Sequence, residues 1–350
     1  MKKLAYSISI ILGVCILVFF LFRMSGSDPV RNVLGENVSE EMMSATRARW
    51  NLDLSTGEQL MLYLNDLSPL SFHIQDTSSR WQFRTQDLTG VCIPMGGMAV
   101  ALKIPFLGRS YISDKTVNLL LAETLPGTLI LALVSIVLAM IVGIVLGVYT
   151  AQHIGTKRDK WILTLSSLGM SAPSFFVAVL VSWFFAIKLG PYTHLPMNGS
   201  LFKVDPWQGK VIAWENMVLP VLTLMIRPLG VIVQLTRNAI LETMSMDFIR
   251  TARAKGLSEQ SVIWRHALPN SLNPVLTAIS GWFASLLAGA VFVEFVFGWK
   301  GLGQLMFQAI EKQDLPVVMG GVIVISIFFV FISAGMDKVY ARLDPRVGLK

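Results

Sequence analysis

Charge is scarce in this chain. Of its 350 residues only 15% are charged and 53% are hydrophobic, whereas a typical soluble domain carries about 25% charged residues. That balance excludes an ordinary water-soluble globular protein, and a mean hydropathy of +0.61 agrees. Cysteine is scarcer still, with Cys15 and Cys92 the two copies. Cys15 lies in an apolar run and Cys92 in a mixed polar stretch, and neither has neighbours spaced as metal ligands. No internal disulfide and no metal site are expected, and packing accounts for both residues. The four histidines, His73, His153, His194 and His266, make no His-x-x-x-His pair. A Gly-x-Ser-x-Gly elbow is missing. So is a phosphate-cradling Gly-x-x-x-x-Gly-Lys-Ser/Thr loop, since Gly209-Lys210 runs on into Val211. These gaps leave no catalytic cluster for a membrane-embedded enzyme. Any nucleotide chemistry has to come from another polypeptide.

Long apolar runs are what the chain has in abundance. Six are long enough to cross a bilayer as helices, which takes about 20 residues: Leu4–Phe22, Leu125–Tyr149, Trp161–Leu189, Met217–Thr236, Val275–Phe297 and Leu315–Met336. Lys2 and Lys3 give the first the look of a signal peptide. Its run is long, however, and Phe22-Arg23-Met24-Ser25 offers no small-x-small cleavage site, so it reads as an uncleaved span. The net charge of +7 and pI near 9.5 invite comparison with nucleic-acid binders. Yet the basic residues crowd the ends of apolar runs, where topology explains them. Lys2, Lys3, Lys157, Arg158, Lys160, Arg237, Arg250, Arg253, Lys255, Arg265, Lys338, Arg342, Arg346 and Lys350 fall on one side of a six-span arrangement. The positive-inside rule puts that side, with both termini, in the cytoplasm.

The first loop, Arg23–Thr124, is long and exempt from charge counting. Met42, Ala45, Arg49 and Leu52 have helical spacing, while Ser78–Gly108 alternates like strands or an amphipathic surface segment. A small extracytoplasmic domain is expected there.

One polar, basic interruption, Arg237–Pro274, organises the second half of the chain. Ile240, Met244, Ile249, Ala252 and Arg253 recur at helical steps. Gly256 then offers a C′ position for a turn, Ser258 starts a second helix, and Leu268-Pro269 closes it. A helix–turn–helix between two spans has to lie against lipid headgroups or another protein.

Within it, Arg250-Thr-Ala-Arg-Ala-Lys-Gly256, followed after nine residues by His266-Ala-Leu-Pro269, resembles the cytoplasmic loop signature of ABC importer permeases: Glu-Ala-Ala, three residues, Gly, nine residues, Ile-x-Leu-Pro. Arg250 and Thr251 stand for the Glu and first Ala, and His266 for the Ile. The run from Phe248 to Leu257 is similar almost letter for letter to the dipeptide/oligopeptide/nickel branch. Ser27-Asp-Pro-Val30, Leu286-Leu-Ala-Gly-Ala290 with Glu294, Phe297-Gly-Trp-Lys-Gly-Leu-Gly303, Asp314-Leu-Pro-Val-Val-Met-Gly-Gly321 and Leu343-Asp-Pro-Arg346 follow in order. The resemblance covers Met1–Asn65 and Gly108–Lys350 and points to the B-type subunit of a heterodimeric permease. Ser78–Lys103 looks like an insertion.

The resemblance implies an all-α polytopic membrane protein of six transmembrane helices with the type I ABC importer permease fold. It would have a coupling-helix loop in the cytoplasm and an extracytoplasmic insert after the first helix. The implied organisation is a first span at 1–24, an extracytoplasmic region at 25–116, a five-helix core at 117–340 with its coupling loop at 237–274, and a cytoplasmic tail at 341–350. Implied partners are a second, C-type permease subunit, two ABC ATPase subunits that bind ATP and Mg, an extracytoplasmic solute-binding protein and membrane lipid, with no nucleic acid. Cofactors are expected on the ATPases and none in this chain, which is expected to be a non-catalytic subunit of the bacterial inner membrane. Phe248, Ile249, Arg250, Thr251, Ala252, Arg253, Ala254, Lys255, Gly256 and Leu257 would form the ATPase docking site. Thr251, Ala252 and Ala254 would allow close approach, and Arg250, Arg253 and Lys255 would pair with acidic or carbonyl groups. On charge alone, the same residues serve equally as lipid-facing positive-inside charges.

Two ionisable residues fall within spans and are candidates for the translocation pathway. Arg227, before Pro228, is costly in hydrocarbon and needs a partner, either a substrate carboxylate or a structural one. Glu294 either lines the outer mouth or bonds to Trp299 and the Gly301–Gly303 turn. Gly143, Gly147, Gly281, Gly289 and Gly335 read as close helix-packing positions. Peptide import is the function implied, with nickel chelates or another small solute as the alternative cargo. A secondary transporter or channel is the alternative class, though such proteins more usually show intramembrane carboxylates.

Overall fold

A computed structural model describes residues 2–24, 28–35, 38–74, 90–96, 98–207 and 209–343. Ser27, the Ser78–Thr89 part of the expected insertion, and the tail from Asp344 lie outside them. The described chain is mostly helical. It divides into two compact units, Met1–Leu125 with Leu305–Ile327, and Pro126–Gln304 with Phe328–Lys350.

The first unit opens with α1 (Lys2–Met24), an apolar helix. Helix α2 (Pro29–Leu34) starts where the Asp28 carboxylate accepts the Val30 N–H at 3.0 Å, with Pro29 at its first position. Arg47 of α3 (Glu40–Arg49) closes back onto Asp28. Helix α4 (Thr56–Leu67) carries a full capping box, Ser55 and Glu58 satisfying each other's backbone N–H. Three antiparallel strands follow, β1 (Leu70–Ile74), β2 (Gly90–Met95) and β3 (Met98–Lys103), in the order β1-β3-β2. Leu70 pairs with Leu102 and Phe72 with Val100, while Val91 and Ile93 face the same two residues from the other side. The alternation expected within Ser78–Gly108 is therefore strand alternation over its described part.

Helix α5 (Val117–Gln152) begins in this unit and runs into the second. There, α6 (Lys157–Ser171) and α7 (Ser174–Val181) meet at a bend of 113°. One continuous span over Trp161–Leu189 was the sequence expectation, and it is broken. Pro173 cannot donate into a continuing helix, and it biases Ala172 to the extended conformation found there. From α7 a π-helical stretch (Ser182–Lys188) leads to α8 (Gly190–Thr193) and a hairpin of β4 (Phe202–Asp205) and β5 (Gly209–Ile212).

Helix α9 (Glu215–Met244) holds Pro220 and Pro228 in its interior and packs closely on α5. A Cβ at Gly143 would fall 2.7 Å from Ile232, and one at Gly147 would fall 2.6 Å from Thr236, so both glycines serve as close-packing positions. Gly281 and Gly335 do not, since open space surrounds both within this chain. The remaining helices are α10 (Asp247–Ala254), α11 (Glu259–Ser261), α12 (Leu268–Gly289), α13 (Val291–Val296), α14 (Leu302–Glu311) and α15 (Leu315–Leu343). The last two start in one unit and end in the other.

Among the described residues three helices are long and apolar enough to cross a membrane: Val117–Gln152, Glu215–Met244 and Leu315–Gly335. The bent α6–α7 pair makes a fourth if it counts as one span.

Candidate functional site

The candidate docking loop is built from the end of α9 outward. The chain leaves α9 at Ser245, and Met246 in extended conformation opens α10 without a side-chain cap. Asp247 in the first turn suits the positive end of the helix dipole. At the other end Gly256 adopts φ +76° and donates its N–H to the Arg253 carbonyl at 2.9 Å. A Cβ there would touch nothing within 4 Å. What fixes glycine at this turn is therefore the left-handed backbone rather than lack of room. Ser258 caps the next helix, accepting the Ser261 N–H at 3.4 Å.

Ile249 and Ala252, three positions apart, share the buried face of α10. They pack with Val262, Ile263 and Ala267 on one side and with Val148, Ala151 and Ile240 on the other. The ten expected docking residues thus divide. Ile249 and Ala252 are enclosed by the chain's own core. Phe248, Arg250, Thr251, Arg253, Ala254, Lys255, Gly256 and Leu257 are exposed. Arg253 already holds the Glu259 carboxylate with two bonds, at 2.8 and 3.2 Å, and so braces the turn. Arg250 reaches Asp247 at 3.3 Å across a fully solvated pair, which contributes little.

Leu268-Pro269 does not close the second helix, as the sequence suggested it would. From α11 the backbone passes through a π-helical stretch, Val262–Ala267, directly into α12 with Pro269 in its first turn. A proline ring clashes with the carbonyl four residues earlier in a regular α-helix. The wider π turn just before it is the kind of local insertion that relieves such a clash.

Beneath the loop, Arg237 of α9 grips Asp159 at the start of α6, Nε to Oδ1 at 2.9 Å and Nη2 to Oδ2 at 3.0 Å. Asp159 is buried, with its side chain 3% exposed. It also accepts the Gly155 N–H at 2.9 Å, while Thr156 caps α6 by accepting the Asp159 N–H at 3.3 Å. Sequence reasoning counted Arg237 only as a positive-inside charge and passed over Asp159. The available signal was an acid between Arg158 and Lys160, three residues after a capping threonine.

The two expected pathway residues sit in different settings. Arg227 is exposed, and its guanidinium lies 5.5 Å from the centre of the Trp282 ring on α12. Among the described residues no ion pair reaches it, so an aromatic face rather than a carboxylate is its partner within this chain. Glu294 on α13 is wholly buried. Its carboxylate accepts the Thr128 hydroxyl at 2.5 Å and the Gln304 N–H at 2.9 Å, and Thr128 in turn accepts the Leu302 N–H at 2.8 Å. Trp299 donates its backbone N–H to the Glu294 carbonyl at 2.8 Å. Of the two roles the sequence left open for Glu294, the geometry supplies partners for the second. The carboxylate anchors the 299–304 turn and the start of α14. A side chain at Gly303 would meet both that carboxylate and the Val291 backbone within 3.0 Å.

These features define a helical membrane protein that presents an exposed, partly basic helix, the candidate docking element, on a braced apolar seat. The described fold is similar to a chain of the MetNI methionine ABC transporter in an inward-facing conformation. The TM-score is 0.52 and the identity 20%, covering 65% of this chain and 97% of that one. The chain belongs to the family of binding-protein-dependent transport system inner membrane components, whose model matches residues 143–349. It is 33% identical over 348 residues to a putative peptide transport system permease protein of Brucella abortus, covering 99% of this chain and 98% of that one. The dipeptide transport system permease protein DppB of Alkalihalophilus pseudofirmus is 28% identical with the same coverage. A di/tripeptide transport system permease protein of Pseudomonas aeruginosa is 29% identical, covering 99% of this chain and 97% of its own length. As such a component the chain resides in the inner membrane and works with ATPase and solute-binding partners.

Proposed function

We propose that this chain is the permease subunit of an ATP-driven importer of di- and oligopeptides. The observation that carries the reading is the end-to-end match, 99% of this chain and 98% of each relative, to proteins named for peptide and dipeptide transport. In this reading the chain is non-catalytic. Two ABC ATPase subunits bind ATP and Mg, a C-type permease completes the pathway, and the solute-binding protein delivers cargo from outside. The exposed face of α10 enters a cleft on one ATPase, and closure of the ATPase pair displaces the 237–274 loop. Helices anchored to that loop rock as bodies and alternate access to the central path. Arg227, exposed beside Trp282, is the residue proposed to meet cargo; Glu294 is proposed to act as an internal anchor.

The proposed topology has six spans: α1, α5, the α6–α7 pair, α9, α12 with α13, and α15. Both termini and the docking loop are cytoplasmic, and 25–116 lies outside. Cysteine substituted at Asn51 and Asn198, but not at Lys255, should react with an impermeant thiol reagent in intact cells. Labelling of Lys255→Cys from outside overturns the orientation.

The functional test is transport. The tagged chain, purified with its associated subunits and reconstituted with the binding protein, should take up a labelled dipeptide only when ATP is supplied. Excess unlabelled tripeptide should compete, and a nickel chelate should not. Uptake without ATP overturns the ATP-driven reading. Competition by the nickel chelate alone moves the cargo to the alternative class within the same machinery.

A further inference from the structure

The sheet β1-β3-β2 carries its residues the reverse way round for a protein surrounded by water. Ser71, His73, Ala99, Ala101 and Lys103 occupy its buried face. Ser71 and His73 bond to each other at 2.8 Å. Lys103 turns inward to donate to the Asp66 carbonyl of α4. The opposite face carries Leu70, Phe72, Val91, Ile93, Met98 and Leu102, each more than half exposed. The pairing sets these in unbroken cross-strand rows, Leu70–Leu102–Val91 and Phe72–Val100–Ile93. Among the described residues no ionisable side chain interrupts them. Single exposed apolar residues are ordinary, but a contiguous face of this kind marks an interaction surface.

What covers it follows from where the strand leads. Beyond β3 the chain passes through Ile104, itself largely exposed, to Phe106 and Leu107. Those two line a cavity of about 480 Å³ together with Phe19 of α1 and Met319 of α15. Phe19 lies five residues before the end of α1 and Met319 four residues past the start of α15. At about 1.5 Å per residue both are some 6–8 Å inside their helix ends. The sheet is therefore joined, three to four residues past its last strand, to a cavity at the outer turns of two apolar helices, whose lining also includes Arg49, Asp66, Arg109 and Asp114. On α1 itself Leu17, Phe20, Leu21 and Met24 are exposed, so the outer end of that helix also presents hydrocarbon. A transient protein partner would call for a polar rim and about one hydrogen bond per 100–200 Å², and among the described residues this face offers aliphatic, thioether and aromatic side chains alone. Interfacial segments with one such face sink it about 5–10 Å into the boundary between headgroups and acyl chains.

We infer that the Leu70–Phe72–Leu102 face of this sheet lies on the extracytoplasmic leaflet of the bilayer, with lipid acyl chains as its ligand. The inference rests on the chain being an inner membrane component and is independent of the cargo. The sheet then acts as a float that holds the extracytoplasmic region against the membrane surface beside α1.

The test uses the assembled complex in lipid nanodiscs, with Cys15 and Cys92 replaced by serine. Phe72→Cys, Ile93→Cys and Leu102→Cys are labelled one at a time with bimane, and Thr56→Cys on α4 serves as the control. Lipids brominated at the shallow end of the acyl chain should at least halve emission from the three sheet positions and leave the control almost unchanged, while aqueous iodide should show the opposite order. Quenching of the sheet positions by iodide as strongly as the control places them in water and overturns the inference. Protection from both quenchers means that protein covers the face, and overturns it equally. A second measurement needs no substitution. Lipid with a photoreactive group near the headgroup end of its chain should crosslink to the unmodified protein within Leu70–Ile74 or Gly90–Lys103, and crosslinks confined to the helices count against the proposal.

Discussion

The docking loop and the three-stranded sheet are both two-faced, and they face opposite ways. In α10 the apolar pair Ile249 and Ala252 turns into the chain's own core, and charged and small residues turn outward. In the sheet the small and polar residues turn inward, and Phe72, Leu102 and their neighbours turn outward. A surface that meets water or a protein cleft keeps its hydrocarbon inside. One that meets lipid has no such need, because burial in acyl chains removes the same area from water. The contrast therefore separates two kinds of surroundings on one polypeptide, without reference to any bound molecule.

The contrast can be broken by truncation. Ile249→Ala should lower unfolding stability by about 2–5 kcal/mol, the range for a buried isoleucine or leucine that leaves a cavity. Thermal or denaturant unfolding of the purified subunit measures it, and a change near zero would mean that α10 is not seated as described. Next in size is Asp159→Asn, which strands Arg237 under the loop. A loss of about 2–3 kcal/mol is expected, between the values for exposed and fully buried pairs. The double variant Asp159→Asn with Arg237→Gln should recover part of it, whereas simple additivity would show that the two residues do not act as a pair.

Smaller again is Gly256. With φ at +76° and open space around it, Gly256→Val should cost about 1–2 kcal/mol through backbone strain alone. Gly256→Asn should cost less, since asparagine tolerates this conformation. If both variants lose stability equally, side-chain contact rather than conformation constrains the turn. The smallest effect belongs to the sheet. Phe72→Ala removes only its cross-strand contacts in the row with Val100 and Ile93 and should change unfolding by no more than about 1 kcal/mol in detergent. A loss as large as that of Ile249→Ala would mean that the face is packed against protein, and the comparison would collapse.

Much of the loop was legible in the sequence because helical spacing and turn chemistry are local. Ile249, Ala252, Gly256 and Ser258 announced a helix, a left-handed turn and a cap, and each is found. Which residues face outward was only half legible, since small size at Ala252 suits a docking surface and a tight core alike. Pro269 misled because the rule that proline ends a helix assumes α geometry, and a π turn relaxes it. The environment of Glu294 was half legible: the turn a few residues on could be offered as a partner, but Thr128 lies far away in sequence and nothing local reports a long-range hydrogen bond. The sheet shows a further limit. Alternation at Met98-Ala-Val-Ala-Leu-Lys103 establishes that two faces differ, but period two does not say which of them meets the core.

The unbroken passage from Ser258 through the π-helical stretch into α12 also has a mechanical meaning. Helical backbone is continuous from Glu259 to Gly289, roughly 45 Å at about 1.5 Å per residue, with the π stretch and the interior Pro274 as its two irregular points. In the proposed mechanism a push at the Ser258 end would pass along this jointed rod to Trp282, the aromatic partner of Arg227. The π stretch is where such a rod can ratchet: letting one extra residue in or out of the wide turn swings everything beyond it by about 100°, the angle each α-helical residue subtends. The candidate docking loop and the Trp282–Arg227 pair would then be two ends of one crank.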